Sequence, residues 1–105
     1  MDEERRVSIN VHGETLAEAT ISPANDDGEA RVDVDVESGH LPVGARRRLT
    51  DGIHEAVTDV QADRVAATVP SDEPELVEGI RDHLHDVDLR ASGTTTTIRG
   101  EVDVP

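Results

Sequence analysis

Apolar and polar positions alternate through three early stretches of the chain. In "RVSINVH" (6–12) Val7, Ile9 and Val11 alternate with Ser8, Asn10 and His12, the period of a strand with one buried face. "HGET" reads as a turn, and "LAEATIS" (16–22) alternates again with Ala17, Ala19 and Ile21 on one side. The turn-rich "PANDDGE" leads to "ARVDVDVES" (30–38), where Val32, Val34 and Val36 point inward and Asp33, Asp35 and Glu37 face water. Three such strands joined by short turns predict an antiparallel meander.

From Pro42 the period changes. Ala45, Leu49, Ile53, Ala56 and Val60 fall on one side at helical spacing with Val57 at its edge, which predicts a helix of about 18 residues ending near Gln61. "RVAATV" (64–69) is a short apolar run suited to a strand covered on both faces, or on one face and an edge. "SDEPELVEGIRDHL" (71–84) carries a helix start, with Asp72 as cap, Pro74 in the first turn and Glu75 three residues after the cap. Leu76, Val77, Ile80, Leu84 and Val87 form its expected buried stripe. The tail "DLRASGTTTTIRGEVDV" reads as a strand or hairpin turning at Ser92-Gly93. The predicted order is β-β-β-α-β-α-β(-β): one α/β (α+β) domain over 1–105, helices packed on the sheet and residues 1–6 outside it. A ferredoxin-like arrangement of the strands is the alternative topology.

Composition changes this picture mainly through charge. The 105 residues hold 24 acidic and 10 basic side chains, a formal net charge of -14, and every basic residue is Arg. Self-repulsion of that size strains a small compact domain in dilute buffer. Molar salt cuts the screening length to roughly 3 Å and nearly removes the repulsion. The composition therefore points to a halophilic, archaeal-type cytoplasmic protein, folded at least in high salt. Low hydrophobicity with high charge is also the signature of disorder, and the regular periodicities speak against that. No N-terminal apolar segment and no membrane-length apolar run are found. With no Cys, thiol chemistry and thiolate metal sites are excluded. The acidity and the absence of Phe, Tyr and Trp make nucleic acid an unlikely partner, since phosphate and base contacts need cations and stacking platforms.

Candidate chemistry concentrates at "SGHLPVGARRRLTDGIHEAV" (38–57), where three arginines open the first helix of an acidic chain. A helix N-terminus offers free N–H groups and a positive dipole end to phosphate or carboxylate. Gly44 allows close approach and Arg46 can clamp. Three cations at that end are unfavourable without a compensating anion. The competing reading is surface charge balance: Arg46 lies about 60° from Leu49 round the helix, Arg47 nearly opposite and Arg48 on the other flank. Arg47 and Arg48 can each pair with Asp51. Of the histidines, His83 and His85 are placed on one helix pointing apart, and His12 and His40 are free to meet; none is expected to hold a metal. Asp33, Asp35 and Glu37 read as a solvated face, and Thr94 to Thr97 as a half-exposed strand. No G-x-S-x-G, P-loop or dinucleotide fingerprint is present.

The order of elements around this turn resembles the C-terminal two-thirds of the GNAT family of acyl-CoA-dependent N-acetyltransferases, over about residues 15 to 104. The resemblance rests on "ARVDVDVES" running into "GHLPVGARRRLTDGIHEAV", then on "RVAATVPSDEPELVEGIRDHL". It implies a turn of the form (Q/R)-x-x-G-x-(G/A) that binds pyrophosphate. Gly44 matches the first Gly, whereas Leu41 stands at the first position and Arg46 at the last. The family's first strand and two substrate-binding helices have no counterpart here, and no Tyr is present to act as the usual general acid. The resemblance therefore implies a truncated relative that has lost catalysis.

Two functional readings follow. The first is a non-catalytic structural or interaction module that forms a homo-oligomer or meets another protein partner, with no cofactor. An aromatic-free core is thin, and pairing the faces bearing Ala17, Ala19 and Ile21, or the tail strand, would add buried area. The second is binding of a phosphate-containing ligand, acyl-CoA or a nucleotide, by Gly44, Ala45, Arg46 and Arg48. The backbone N–H groups would hold phosphate and Arg46 or Arg48 would clamp it. On that reading Arg46→Glu is expected to abolish binding and leave the fold intact.

Overall fold

The computed structural model describes residues 4–11, 13–36 and 44–102. The elements are β1 (Arg5–Val11), β2 (Glu14–Ile21), β3 (Glu29–Val36), α1 (Ala45–Asp59), β4 (Arg64–Pro70), α2 (Pro74–Arg81), β5 (Leu84–Ser92) and β6 (Thr95–Val102). They form one six-stranded sheet in the order β1-β2-β3-β4-β6-β5. The meander of β1, β2 and β3 stays contiguous, which overturns the ferredoxin-like alternative. β1 begins at Arg5, so two of the six leading residues set outside the fold are in it, opposite Ile21 and Thr20.

The alternation read along each strand determines one buried face. Ala19 pairs with Val34, Ile21 with Val32, Val32 with Ala67 and Ala67 with Ile98, so opposed residues place their side chains on the same side. All of these are buried, and both helices cover that side: α1 packs on β1 and β2, α2 on β5 and β6. Ala17, Ala19 and Ile21, proposed above as an exposed oligomer face, therefore lie under α1 in the core. The opposite face, with Arg31, Asp33, Asp35, Arg64 and Arg99, stays exposed.

The core lacks aromatics, and small residues bring its layers close. Seven of its twenty buried hydrophobic residues are alanine, so helices and sheet meet with little side chain between them. A Cβ on Gly52 would stand 2.7 Å from Val7 Cγ1, and one on Gly79 would stand 2.7 Å from Thr50 Cγ2. α1 thus sits directly on β1, and α2 directly on α1.

Three helix boundaries differ from the sequence reading, the first being the start of α2, whose N-cap is Glu73 rather than Asp72 and makes no side-chain cap hydrogen bond among the described residues. Helix α1 stops at Asp59, and Val57 is fully buried rather than at the stripe's edge. Helix α2 ends at Arg81, and Leu84 and Val87 belong to β5. The β5–β6 register shifts between His85 and Asp88, with Asp86 at φ 52. This bulge turns Leu84 and Val87, three residues apart, toward the core together, so a bulged strand imitates a helical spacing. His83 and His85 accordingly do not share a helix.

Candidate functional site

β3 and β4 run parallel and are paired only from Glu29↔Arg64 to Asp33↔Thr68. Past that point Val34 and Val36 pair with Ala19 and Ala17 of β2, while Val69 and Pro70 pair with Thr96 and Thr95 of β6. The sheet therefore splits at the carboxyl ends of its two parallel strands, where each leads towards a helix. Open α/β sheets place ligand crevices at such points. The split opens into a cleft of about 910 Å³ lined by Thr20, Asp33, Asp35, Thr68, Ser71, Asp72, Thr94 and Thr95, with Val34, Val36 and Pro70 as its apolar part. Ser71 is held at the rim: its N–H donates to the Thr94 carbonyl at 2.8 Å and its Oγ shares a hydrogen bond with Thr96 Oγ1 at 3.0 Å. Carboxylates and hydroxyls without a described cation make a lining that accepts hydrogen bonds from N–H groups.

The second feature is the start of α1. Gly44 is its N-cap at φ 89, a left-handed conformation that disfavours any side chain, and no side chain among the described residues caps the helix. Its carbonyl accepts the first helical bond from Arg48 N–H at 3.0 Å. The N–H groups of Ala45, Arg46 and Arg47 precede that bond and have no helical partner. A Cβ added at Gly44 would meet nothing within 4 Å among the described residues. Residues 37–43, which include Leu41 and the rest of the turn, lie outside the described residues, as do His12 and His40.

The three arginines separate. Arg46 is half-buried and turns toward the start of α2, with Nε 3.5 Å from Glu73 Oε2 and Nη1 2.8 Å from Glu75 Oε2. The Glu73 side chain is only 3% exposed, and its Oε1 accepts no hydrogen bond among the described residues. Arg46 is thus the charge partner of a buried carboxylate. Arg46→Glu would set a third carboxylate against Glu73 and Glu75, so it is expected to destabilise the fold as well as any binding. Arg47 and Arg48 are exposed and make no ion pair among the described residues. Asp51 pairs instead with His83, whose Nε2 is 3.7 Å from Asp51 Oδ1. Of the four candidate residues, then, Gly44 is the N-cap of α1, Ala45 is a core side chain, Arg46 braces α2 and Arg48 faces solvent.

A groove of about 520 Å³ runs between the helices from Gly44, Arg46 and Arg47 past Glu75 and Gly79 to His83. At its far end His54 and His83 stack, ring centroids 4.4 Å apart and planes at 16°. The sequence reading missed this pair because it placed His83 inside a longer helix. No group of three or more metal-ligating side chains is found among the described residues, and no helix there is long and apolar enough to cross a membrane.

No family model matches the chain, and no curated protein matches it in sequence. Solved structures do match. The chain is similar to the GNAT domain of S. lividans PAT at a TM-score of 0.64 and 16% identity, covering 94% of this chain and 61% of that one. It is similar to a GNAT-family acetyltransferase from Streptococcus pneumoniae at 0.66 and 10%, covering 95% and 67%. The Salmonella typhimurium protein yncA, solved with its cofactor acetyl-CoA, matches at 0.64 and 11%, covering 95% and 65%. The chain spans about three fifths to two thirds of the length of these structures. At such identities the likeness is one of fold, and it agrees with the element order: this chain has the fold of the GNAT acetyltransferases over the part it spans.

Proposed function

We propose that the chain binds a phosphate-bearing ligand of the acyl-CoA type, with the phosphate at the start of α1 and the acyl arm in the gap between β3 and β4. The observation that carries this reading is the end of parallel pairing at Asp33 and Thr68, which parts the sheet where β3 leads on to α1 and β4 to α2, together with a start of α1 that no described side chain caps. The N–H groups of Ala45 and Arg46, approached over Gly44, hold phosphate oxygens. Arg48 and Arg47 supply the charge, since Arg46 is shared between Glu73 and Glu75. The acyl-CoA class is supported by the fold shared with yncA, which was solved with acetyl-CoA. Transfer itself is a further step that no described residue is assigned to.

The test is a thermal-shift titration in about 3 M KCl, where the screening length is below roughly 3 Å, comparing acetyl-CoA, CoA, ATP and inorganic phosphate. The expected result is a saturable rise with the two CoA compounds that is lost in Arg47→Glu/Arg48→Glu. Arg47 and Arg48 are exposed and make no ion pair among the described residues, so the variant is expected to fold, and its own melting transition without ligand in the same titration checks this. No rise with any of the four compounds would remove this reading.

The interaction-module reading is favoured by a separate observation, the charge layout of the open sheet face.

A further inference from the structure

The face of the sheet away from the helices carries its charges in two zones. Arg31 on β3 and Arg99 on β6 both pair in register with Ala66 of β4, and Arg64 lies two residues before Ala66 on the same strand. These three exposed arginines surround a half-buried alanine at the middle of the sheet, in a chain of net charge -14. None has an ion-pair partner among the described residues, although Glu29 and Glu101 stand in register beside Arg64. Toward the other end, Asp35 and Glu18 are paired neighbours, followed by Asp33 and by Asp72 at the cleft. Arg31 and Asp35 are four residues apart on β3, roughly 13 Å at ~3.3 Å per residue. Between the zones lie the half-buried Thr20, Thr68 and Thr97, small enough for another sheet to approach.

We propose that this open face is where a second copy of the chain docks, related by a two-fold axis passing near Thr68. In a two-fold interface each patch meets its complement twice. Here the arginines of one copy lie over Asp33, Asp35 and Glu18 of the other, and the reverse. A fourth carboxylate, Asp72, lies at the edge of the zone that receives the arginines. Six strands at ~4.8 Å and about seven residues at ~3.3 Å give a face of roughly 24 by 23 Å, which with its side chains approaches the ~800 Å² per partner of a standard interface. The start of α1 lies on the helix side and stays outside the contact. The proposal does not depend on the ligand reading.

The test is sedimentation velocity on the full chain in about 1 M KCl, where a screening length of roughly 3 Å removes the long-range repulsion and leaves contact pairs. Two charge reversals are compared, Arg31→Glu/Arg99→Glu and Asp33→Arg/Asp35→Arg. The wild type is expected to dimerise with concentration, and each variant alone to remain monomeric. An equimolar mixture of the two is expected to dimerise again, because each altered patch then faces its complement. Circular dichroism checks that both fold, and the single changes Arg99→Gln and Asp35→Asn replace either one that does not; each is then expected to shift the dimer toward monomer. A wild type that stays monomeric overturns the proposal. A dimer unaffected by the variants overturns it as well, since the contact would then use another surface such as the β5 edge.

Discussion

Arg46 shows how a side chain's position can be read from the chain while its partner cannot. Its place on the flank of α1, between core and solvent, follows from helical angle alone. Its partner does not: Glu73 is one of 24 carboxylates, 27 positions away, and nothing in the chain distinguishes it. Only the packing of α2 against α1 buries Glu73 and makes Arg46 its counter-charge. Arg46→Gln should therefore cost about 2–4 kcal/mol, below the upper end for a fully buried pair because Arg46 keeps 24% of its side chain in water. Glu75→Gln should cost less than about 1 kcal/mol, as its side chain is 65% exposed. Urea unfolding of both, with the double variant Arg46→Met/Glu73→Leu, measures this. The double variant should regain most of the loss, since it removes the buried charge along with its partner. An Arg46→Gln variant as stable as the wild type would make the pair a surface contact.

Among the elements, the strands were the most legible, because the alternation in β2, β3 and β4 meets one covered face and one open one. The stretch from Leu84 to Val87 was not, because a bulge shifts the phase of β5 and no Gly or Pro marks the end of α2. The contact of α1 with α2 is set at Gly79, where a Cβ would reach Thr50 Cγ2 at 2.7 Å. Replacing a helical glycine with alanine ordinarily favours the helix by about 1 kcal/mol. Gly79→Ala should instead destabilise, because overpacking of a tight contact costs about 1–3 kcal/mol. Thr50→Ser removes the methyl and keeps the hydroxyl that donates to the Arg47 carbonyl at 3.0 Å, so Gly79→Ala/Thr50→Ser should recover the loss. Thermal unfolding of the single and double variants decides it, and a Gly79→Ala that gains stability would show that the helices can part.

For the whole molecule, charge dominates. Ion pairs among the described residues are few, and the acidic excess is left to repel itself across a thin aliphatic core. The midpoint of thermal unfolding should therefore climb from about 0.1 to 3 M KCl, as the screening length falls from ~10 Å to below 3 Å. Circular dichroism melts across that range check this. A midpoint independent of salt would mean that repulsion does not limit stability.

The sequence by itself determined the strands, both helices, their order and the acidity. Each is local: side-chain periodicity follows from backbone geometry, and net charge is a sum over residues. It also singled out the glycine-arginine turn, because helix-start chemistry is local too. Only the tertiary structure decided which strands become neighbours, where the parallel pair β3 and β4 comes apart, that Arg46 answers Glu73, and that three arginines with no ion-pair partner among the described residues share one open face. Those depend on residues far apart in the chain brought into register by packing, and no spacing along the chain encodes that register.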